Sequence, residues 1–246
     1  MADALNMDSR GTGDPPVLFL HSFAGDCTHW APVLEALARR HRVVAFDFSG
    51  HGQSPAARGR YSIKRLAQDV LTVANSQNLE HFVLVGHSLG AFVAAEFAAT
   101  GPQRLKKLIL VDAPPAPGSL PPDVMKQFRA ALAQDPYAAV EQYWKQQPFV
   151  NSRPETQRRL LLSLHRLARN AALELTEDLL NYDATPALRQ YNGPKFAIVT
   201  HSNDTPLSLH HAVPDIEYSV IEGTGHWIHL DRPAEFIAVL ERLLRR

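Results

Sequence analysis

Six short apolar runs punctuate the chain. Val17–Leu20, Val43–Phe46, Phe82–Val85, Leu108–Val111 and Phe196–Val199 are apolar at every position, and Tyr218–Ile221 reads as one more strand. Unbroken apolar runs of this length suit strands of a parallel sheet covered on both faces. Segments of helical spacing lie between them. Trp30–Arg39 repeats apolar residues at Trp30, Val33, Leu34 and Leu37, and Ile63–Ala74 does so at Ile63, Leu66, Ala67, Val70 and Leu71. Leu89–Ala99 is small and apolar nearly all round, as a buried central helix would be. Ala234–Leu244 places Phe236, Ile237, Val239, Leu240 and Leu243 for one buried face. Strands alternating with helices predict an α/β protein with a mostly parallel, doubly wound sheet. Residues Asp3 to Arg10 supply at most one strand before Val17.

The alternation breaks between Asp112 and Pro186. Ala113 to Pro122 holds five prolines, which stop both helix and central strand. Four helices are predicted next: Pro122–Gln134, Pro136–Gln146, Pro154–Ala168 and Ala172–Asn181. The strand pattern resumes after Gly193-Pro194. Residues 113–185 are therefore expected to form an all-helical insertion, with 1–112 and 186–246 as the α/β core.

The sharpest chemical signal is Gly86-His87-Ser88-Leu89-Gly90, a G-x-S-x-G string directly after a strand and before a helix. In that setting the serine sits on a tight turn, its hydroxyl lifted above the sheet edge, and the following helix aims backbone N–H groups at it. A serine at its free pKa needs a base, and the base needs an acid. Both are expected from loops at the carboxyl ends of later strands. Thr200-His201-Ser202-Asn203-Asp204 follows one such strand and Glu222-Gly223-Thr224-Gly225-His226 the next, giving the order Ser88, Asp204, His226.

Here the chain resembles the α/β-hydrolase fold superfamily, from about Asn6 to Arg246. Four separated motifs carry the resemblance: His21-Ser22-Phe23-Ala24-Gly25, Asp47-Phe48-Ser49-Gly50-His51-Gly52-Gln53-Ser54, the elbow at Ser88, and Gly225-His226. It implies that Ser88 attacks, His226 shuttles the proton, Asp204 orients the imidazole, and the backbone N–H groups of Phe23 and Leu89 form the oxyanion hole. It also implies that residues 113–185 are a cap over the site. Two departures stand out. The first motif has His21-Ser22 where the family usually has His-Gly, and the 22-residue step from Asp204 to His226 is short, leaving room for only a short helix within Leu207–Val213.

Each role has rivals. Asp112 follows the strand ending at Val111, and some members of the fold carry the acid there. The preferred reading makes Asp112 a helix cap or loop anchor, and Asp183 a boundary residue near the return from the cap. His229 and His87 are read as structural, His210-His211 as a solvated loop pair, and Asp47 to Ser54 as a turn whose Asp47 accepts loop N–H groups. His21 is expected to brace the oxyanion loop or touch substrate. With Ser22, Trp144, Phe149 and Trp227 it makes up the expected substrate pocket. Tyr143, Phe23, Leu89 and Ile228 are further candidates for its apolar wall. No metal site is expected, since His226 and His229 lack the H-E-x-x-H context and no thiolate cluster exists. No cofactor is expected either.

Composition narrows the partners. The 246 residues carry 25 Lys+Arg against 25 Asp+Glu, a balance that argues against a nucleic-acid or anionic-membrane binder. A single cysteine, Cys27, forbids an intrachain disulfide. Met1 to Pro16 has the wrong profile for a signal peptide, so a cytoplasmic protein is expected, as monomer or small homo-oligomer. The leading functional reading is a serine carboxylesterase for small to medium uncharged esters or lactones. The alternatives are a perhydrolase-like enzyme, a carbon–carbon bond hydrolase or a non-catalytic ligand receptor on the same fold.

Overall fold

A computed structural model describes residues 4–115 and 121–246. Residues 1–3, part of the Met1 to Pro16 segment read above, and 116–120, the middle of the Pro-rich stretch, lie outside the described residues. Seven strands form one sheet: Met7–Arg10 (β1), Val17–Leu20 (β2), Val43–Phe46 (β3), Phe82–His87 (β4), Leu105–Val111 (β5), Lys195–Thr200 (β6) and Ile216–Ile221 (β7). Their order is β1-β3-β2-β4-β5-β6-β7. Only the β1–β3 pairing is antiparallel among them. The six apolar runs are thus six strands, and the one strand allowed before Val17 is β1.

Pleat alternation divides the apolar runs between two cores. Val17, Phe19, Val43, Ala45, Val83 and Val85 join Ile109, Val111 and Ile198 under Ala31–Leu37 (α1) and Pro233–Arg245 (α11). Leu18, Leu20, Val44, Phe46 and Leu84 join Leu108, Leu110 and Val199 under Ile63–Ser76 (α2) and Leu89–Thr100 (α3). A strand flanked by helices on both faces must be apolar at every position, which is why these runs show no polar alternation.

Among the described residues five helices lie between β5 and β6, the first four being Pro122–Gln134 (α4), Pro136–Gln146 (α5), Pro154–Leu164 (α6) and Arg169–Asn181 (α7). Their existence matches the pattern, but two boundaries move. The helix expected to reach Ala168 ends at Leu164, where Arg166 and Leu167 donate to Ser163 and Leu164 in a tightened last turn. Ala168 is then extended, and α7 begins at Arg169 instead of Ala172. A short helix, Thr185–Gln190 (α8), follows and packs on α3. Asp183 accepts the Thr185 N–H at 2.9 Å, so it serves the start of that helix. Leu209–Ala212 (α9) is the expected short helix after β6, and Ile228–Asp231 (α10) follows β7. No helix among the described residues is long and apolar enough to cross a membrane.

The inserted helices are fastened to the core by charge. Asp178 of α7 accepts the Ile63 N–H at 2.7 Å, and Glu174 accepts the Tyr61 N–H at 2.7 Å. Ile63 opens α2, where unpaired N–H groups and the helix dipole favour a carboxylate. A hydrogen bond to a charged group contributes about 1.5–3 kcal/mol. At this chain length that corresponds to a drop of roughly 3–12 °C in Tm. Asp178→Ala is therefore expected to melt several degrees below wild type by differential scanning calorimetry, and an unchanged Tm would remove this carboxylate from the stability of the fold.

Candidate active site

Sheet register brings four strand ends to one edge. Leu20 lies beside Gly86, His87 beside Val111, and Val111 beside Ile198. The residues that leave these ends are therefore neighbours: His21 to Phe23 after β2, Ser88 after β4, Asp112 after β5 and the Thr200 segment after β6.

Ser88 sits between β4 and α3 at φ 54° and ψ −117°, the left-handed region that side chains avoid. The two flanking glycines are required by close approach and not by their own φ. A Cβ on Gly86 would lie 2.1 Å from the Gly90 oxygen, and one on Gly90 would lie 2.6 Å from the Leu20 oxygen and 2.7 Å from the His21 oxygen. The second contact presses the start of α3 against the end of β2. It sets the N–H of Leu89, at the first helical position, beside the loop that carries Phe23. Ser88 itself is 8% exposed and lines a cavity of about 710 Å³ together with Phe23, Asp112 and His226.

The acid facing His226 is Asp112. Its Oδ2 accepts from His226 Nδ1 at 2.6 Å, which leaves Nε2 as the unprotonated nitrogen of the neutral ring. The other carboxylate oxygen, Oδ1, accepts from the Thr200 N–H at 2.8 Å, the Thr200 hydroxyl at 3.0 Å and the Asn203 amide at 3.1 Å. Asp112 adopts φ 42°, and its own N–H donates to Ile198, extending the β5–β6 ladder one residue past the strand. A buried carboxylate is tolerable when its oxygens are this fully paired.

Asp204, the acid expected from chain order, does not meet His226 in the structure. Its Oδ1 accepts from His210 Nε2 at 3.0 Å and His211 Nε2 at 2.8 Å, and it does not line the cavity. The cause is local. After Thr200 the chain makes a tight 3-10 turn over His201–Asn203, and α9 folds back so that its two imidazoles capture the carboxylate. His210, bonded first, and His211 hold the Asp204 carboxyl below its ordinary range. The expected solvated loop pair divides: His211 is exposed but His210 is buried, and both rings pack on Tyr218.

The other expected site residues divide. Ser22, Trp144, Trp227 and Tyr143 line the cavity. Ser22 accepts from Trp227 Nε1 at 3.1 Å, so the serine at the family's usual glycine position ties the loop after β2 to the segment after His226. Phe149 and His21 are corrections. Phe149 is buried behind the wall against Trp144 and Trp227, with ring centroids 5.5 and 5.3 Å away. His21 lies below the cavity, where its Nδ1–H donates to Ser22 at 2.8 Å and its Nε2 accepts the Phe48 N–H at 3.1 Å. It braces the loop without facing substrate. Leu89 and Ile228 are buried but do not line the cavity.

The remaining histidines near the site are structural. His87 points away from Ser88 and donates through Nε2 to the His226 carbonyl at 2.9 Å. His229 stacks on Trp30 at 4.1 Å. Burial lowers the pKa of both well below the ordinary histidine range and also lowers that of His21, so they act as neutral groups. Asp47 accepts the N–H groups of Cys27 and Gln53, as a turn anchor should. Burial beside Asp47 pushes the Cys27 thiol up, against any role as a thiolate nucleophile. Thr200 and Asn203, the donors that position Asp112, were passed over in the sequence because a threonine and an asparagine after a strand look like ordinary loop residues.

With this geometry in place, comparison with known proteins identifies the class. A sequence profile of the alpha/beta hydrolase fold matches residues 15–233, and the chain belongs to that family. A 2-succinyl-6-hydroxy-2,4-cyclohexadiene-1-carboxylate synthase of Escherichia fergusonii is 31% identical over 95% of each chain. An uncharacterized protein of Mycobacterium tuberculosis is 29% identical over 95% of this chain and 76% of its own. Among solved structures, a thermophilic esterase from Thermogutta terrifontis superposes with a TM-score of 0.83 at 23% identity, covering 98% of this chain and 93% of its own.

The hydrogen bond between His226 and Asp112 has a direct signature. A short imidazole-to-carboxylate bond gives a far-downfield N–H proton resonance. That resonance is expected to vanish in Asp112→Asn and to persist in Asp204→Asn; the opposite pattern would restore the acid expected from the sequence.

Proposed function

We propose that the chain is a serine hydrolase of neutral carboxylic esters, lactones included, working through an acyl-enzyme on Ser88. The observation that carries this reading is the His226–Asp112 bond at 2.6 Å on the wall of the same cavity that Ser88 lines. His226 Nε2 takes the Ser88 proton as Oγ attacks the ester carbonyl. The tetrahedral oxyanion is received by the N–H groups of Phe23 and Leu89. The imidazolium, stabilised by Asp112, then protonates the leaving alcohol, and the same base activates water to release the acid. Three other donors hold the Asp112 carboxylate in place beside the ring throughout.

The cavity lining supports this substrate class. Its wall is built from Phe23, Phe128, Tyr143, Trp144, Trp227 and several aliphatic side chains, with no Lys or Arg among the described residues. The cap arginines turn elsewhere, Arg159 donating to the Thr28 hydroxyl. An uncharged, partly apolar ester fits this lining. A dicarboxylate of the kind named for the Escherichia fergusonii relative would meet no cation. The volume lies within the roughly 300–1,000 Å³ range of small-molecule pockets, so acyl groups of medium length are accommodated. We further propose that α4 to α7 act as the cap over this cavity, since Phe128, Tyr143 and Trp144 come from them.

A p-nitrophenyl ester series on wild type and variants tests this. Ser88→Ala is expected to lose turnover and labelling by a fluorophosphonate probe together. Asp112→Asn is expected to lower kcat by about 10⁴-fold, the size of the effect when the orienting carboxylate of such a triad becomes an amide. Asp204→Asn is expected to stay within about twofold, as a part-exposed substitution away from the reacting groups. Neutral esters turned over no better by wild type than by Ser88→Ala would end the proposal.

A further inference from the structure

The segment that surrendered the expected acid has built another constellation. Asp204 Oδ1, His210 Nε2 and His211 Nε2 converge so that their ligand atoms all lie within 4.8 Å of one another. The carboxylate oxygen is 3.0 and 2.8 Å from the two ring nitrogens. These side chains come from two elements: the loop after β6 supplies Asp204, and α9 supplies the histidines. We propose that Asp204, His210 and His211 form a binding site for a divalent transition-metal ion, of which zinc is the representative.

Donor chemistry favours this class of ion. Two imidazoles and one carboxylate suit zinc, cobalt, nickel or copper, whereas magnesium and calcium ask for oxygen-rich shells. Ligands at about 2.0–2.1 Å in tetrahedral array sit roughly 3.3 Å apart. The two O···N separations of 2.8 and 3.0 Å need a few tenths of an ångström of opening to receive the ion, and the two ring nitrogens, within 4.8 Å of each other, settle to the same spacing around it. The rings need little ordering. His210 is buried, its centroid is 4.4 Å from that of His211 and 4.4 Å from that of Tyr218, and Tyr218 also packs on His211. Asp204 and His211 are part-exposed, so water can complete the coordination sphere.

Chelation replaces the two N–H···O bonds. Each neutral ring moves its proton from Nε2 to Nδ1, freeing the Nε2 lone pair for the metal. The ion then cross-links the loop after β6 to α9. The neighbouring Asn203 belongs to this loop: its amide holds Asp112, and its carbonyl accepts the Ser208 hydroxyl. Occupancy therefore stiffens the segment that positions the proposed catalytic acid, while the ion stays outside the cavity wall.

The test uses the full chain, free of any purification tag. Zinc chloride titrated calorimetrically should show one saturable equivalent, and cobalt chloride should give the visible ligand-field bands of a low-coordinate site. Losing even an outer-sphere partner of a metal ligand costs about 10–100-fold in affinity. Asp204→Asn and His211→Ala are therefore each expected to weaken binding by at least about 100-fold. His201→Ala, at an exposed histidine beside Glu222, should leave the equivalent intact. His211→Cys supplies a thiolate and should bind cobalt with a new near-ultraviolet sulfur-to-metal charge-transfer band, a positive signal that requires a folded site. Zinc should raise the Tm of wild type but not of Asp204→Asn, since an ion bound to the native state stabilises it. Wild type without a saturable equivalent, an equivalent that survives in both Asp204→Asn and His211→Ala, or a His211→Cys variant without the charge-transfer band would overturn the assignment.

Discussion

A fully paired carboxylate at the end of a central strand organises the site. Asp112 takes its position from the sheet: its N–H donates to Ile198, so β5–β6 pairing runs one residue beyond the strand. The left-handed backbone at that residue then turns the side chain back across the β6 end. Four donors converge there, two from Thr200, one from Asn203 and one from His226. A buried charge is costly unless each oxygen is satisfied, so these donors and the acid impose one another. The imidazole is then fixed from both sides, with Asp112 on its Nδ1 and His87 on its backbone carbonyl. The loop after β7 is in turn tied to the inserted helices, since the His226 N–H donates to Pro148. Ser88, pressed by Gly90 against the end of β2, completes a site whose parts are all placed by strand ends of one sheet.

Most of this frame was legible in the residues. Continuous apolar runs read as doubly covered strands because a parallel sheet between helix layers leaves no polar face. The elbow was legible because two close backbone approaches exclude any Cβ, which writes glycine at positions 86 and 90. The identity of the acid was not legible. Asp112 and Asp204 each follow a strand of the same sheet at the same edge, and chain order favours the later one. What separates them is where donors point. Thr200 and Asn203 serve the first, and His210 and His211 occupy the second. Side-chain direction in a tight loop is a tertiary property that periodicity does not encode. The short step to His226 and the adjacent histidine pair were the traces of it in the sequence. Likewise Phe149 and His21 have the right types for a pocket, and only packing puts one behind the wall and the other beneath it.

The histidines show how burial sorts chemically identical side chains. His21, His87 and His229 lie under the site with their pKa values pushed down by loss of water. Burial likewise brings His29 and His51 down to about 3. Kept neutral, each ring serves as a directed hydrogen-bonding group or a stacking plate. His21 makes the point in detail. Its Nδ1–H must donate to Ser22, so its Nε2 must accept from Phe48, and that tautomer joins the loop after β2 to the Asp47 turn. A positive charge there would have to give up one of the two bonds. Neutrality is thus part of how the loop carrying Phe23 is held.

The same reasoning joins the two faces of the segment after β6. On its inner face Thr200 and Asn203 donate to Asp112; on its outer face Asp204 accepts from His210 and His211. In this turn Asn203 presents its amide inward to Asp112 while the next residue, Asp204, faces His210 and His211. One carboxylate beside His226 is sufficient, and a second would raise the cost of the buried charge without adding a donor to pay for it. Supplying the acid from β5 therefore frees residue 204 for the surface, and the histidine pair of α9 gives that residue a structural partner. The departure from the expected chain order and the constellation on the outer face are two consequences of a single turn.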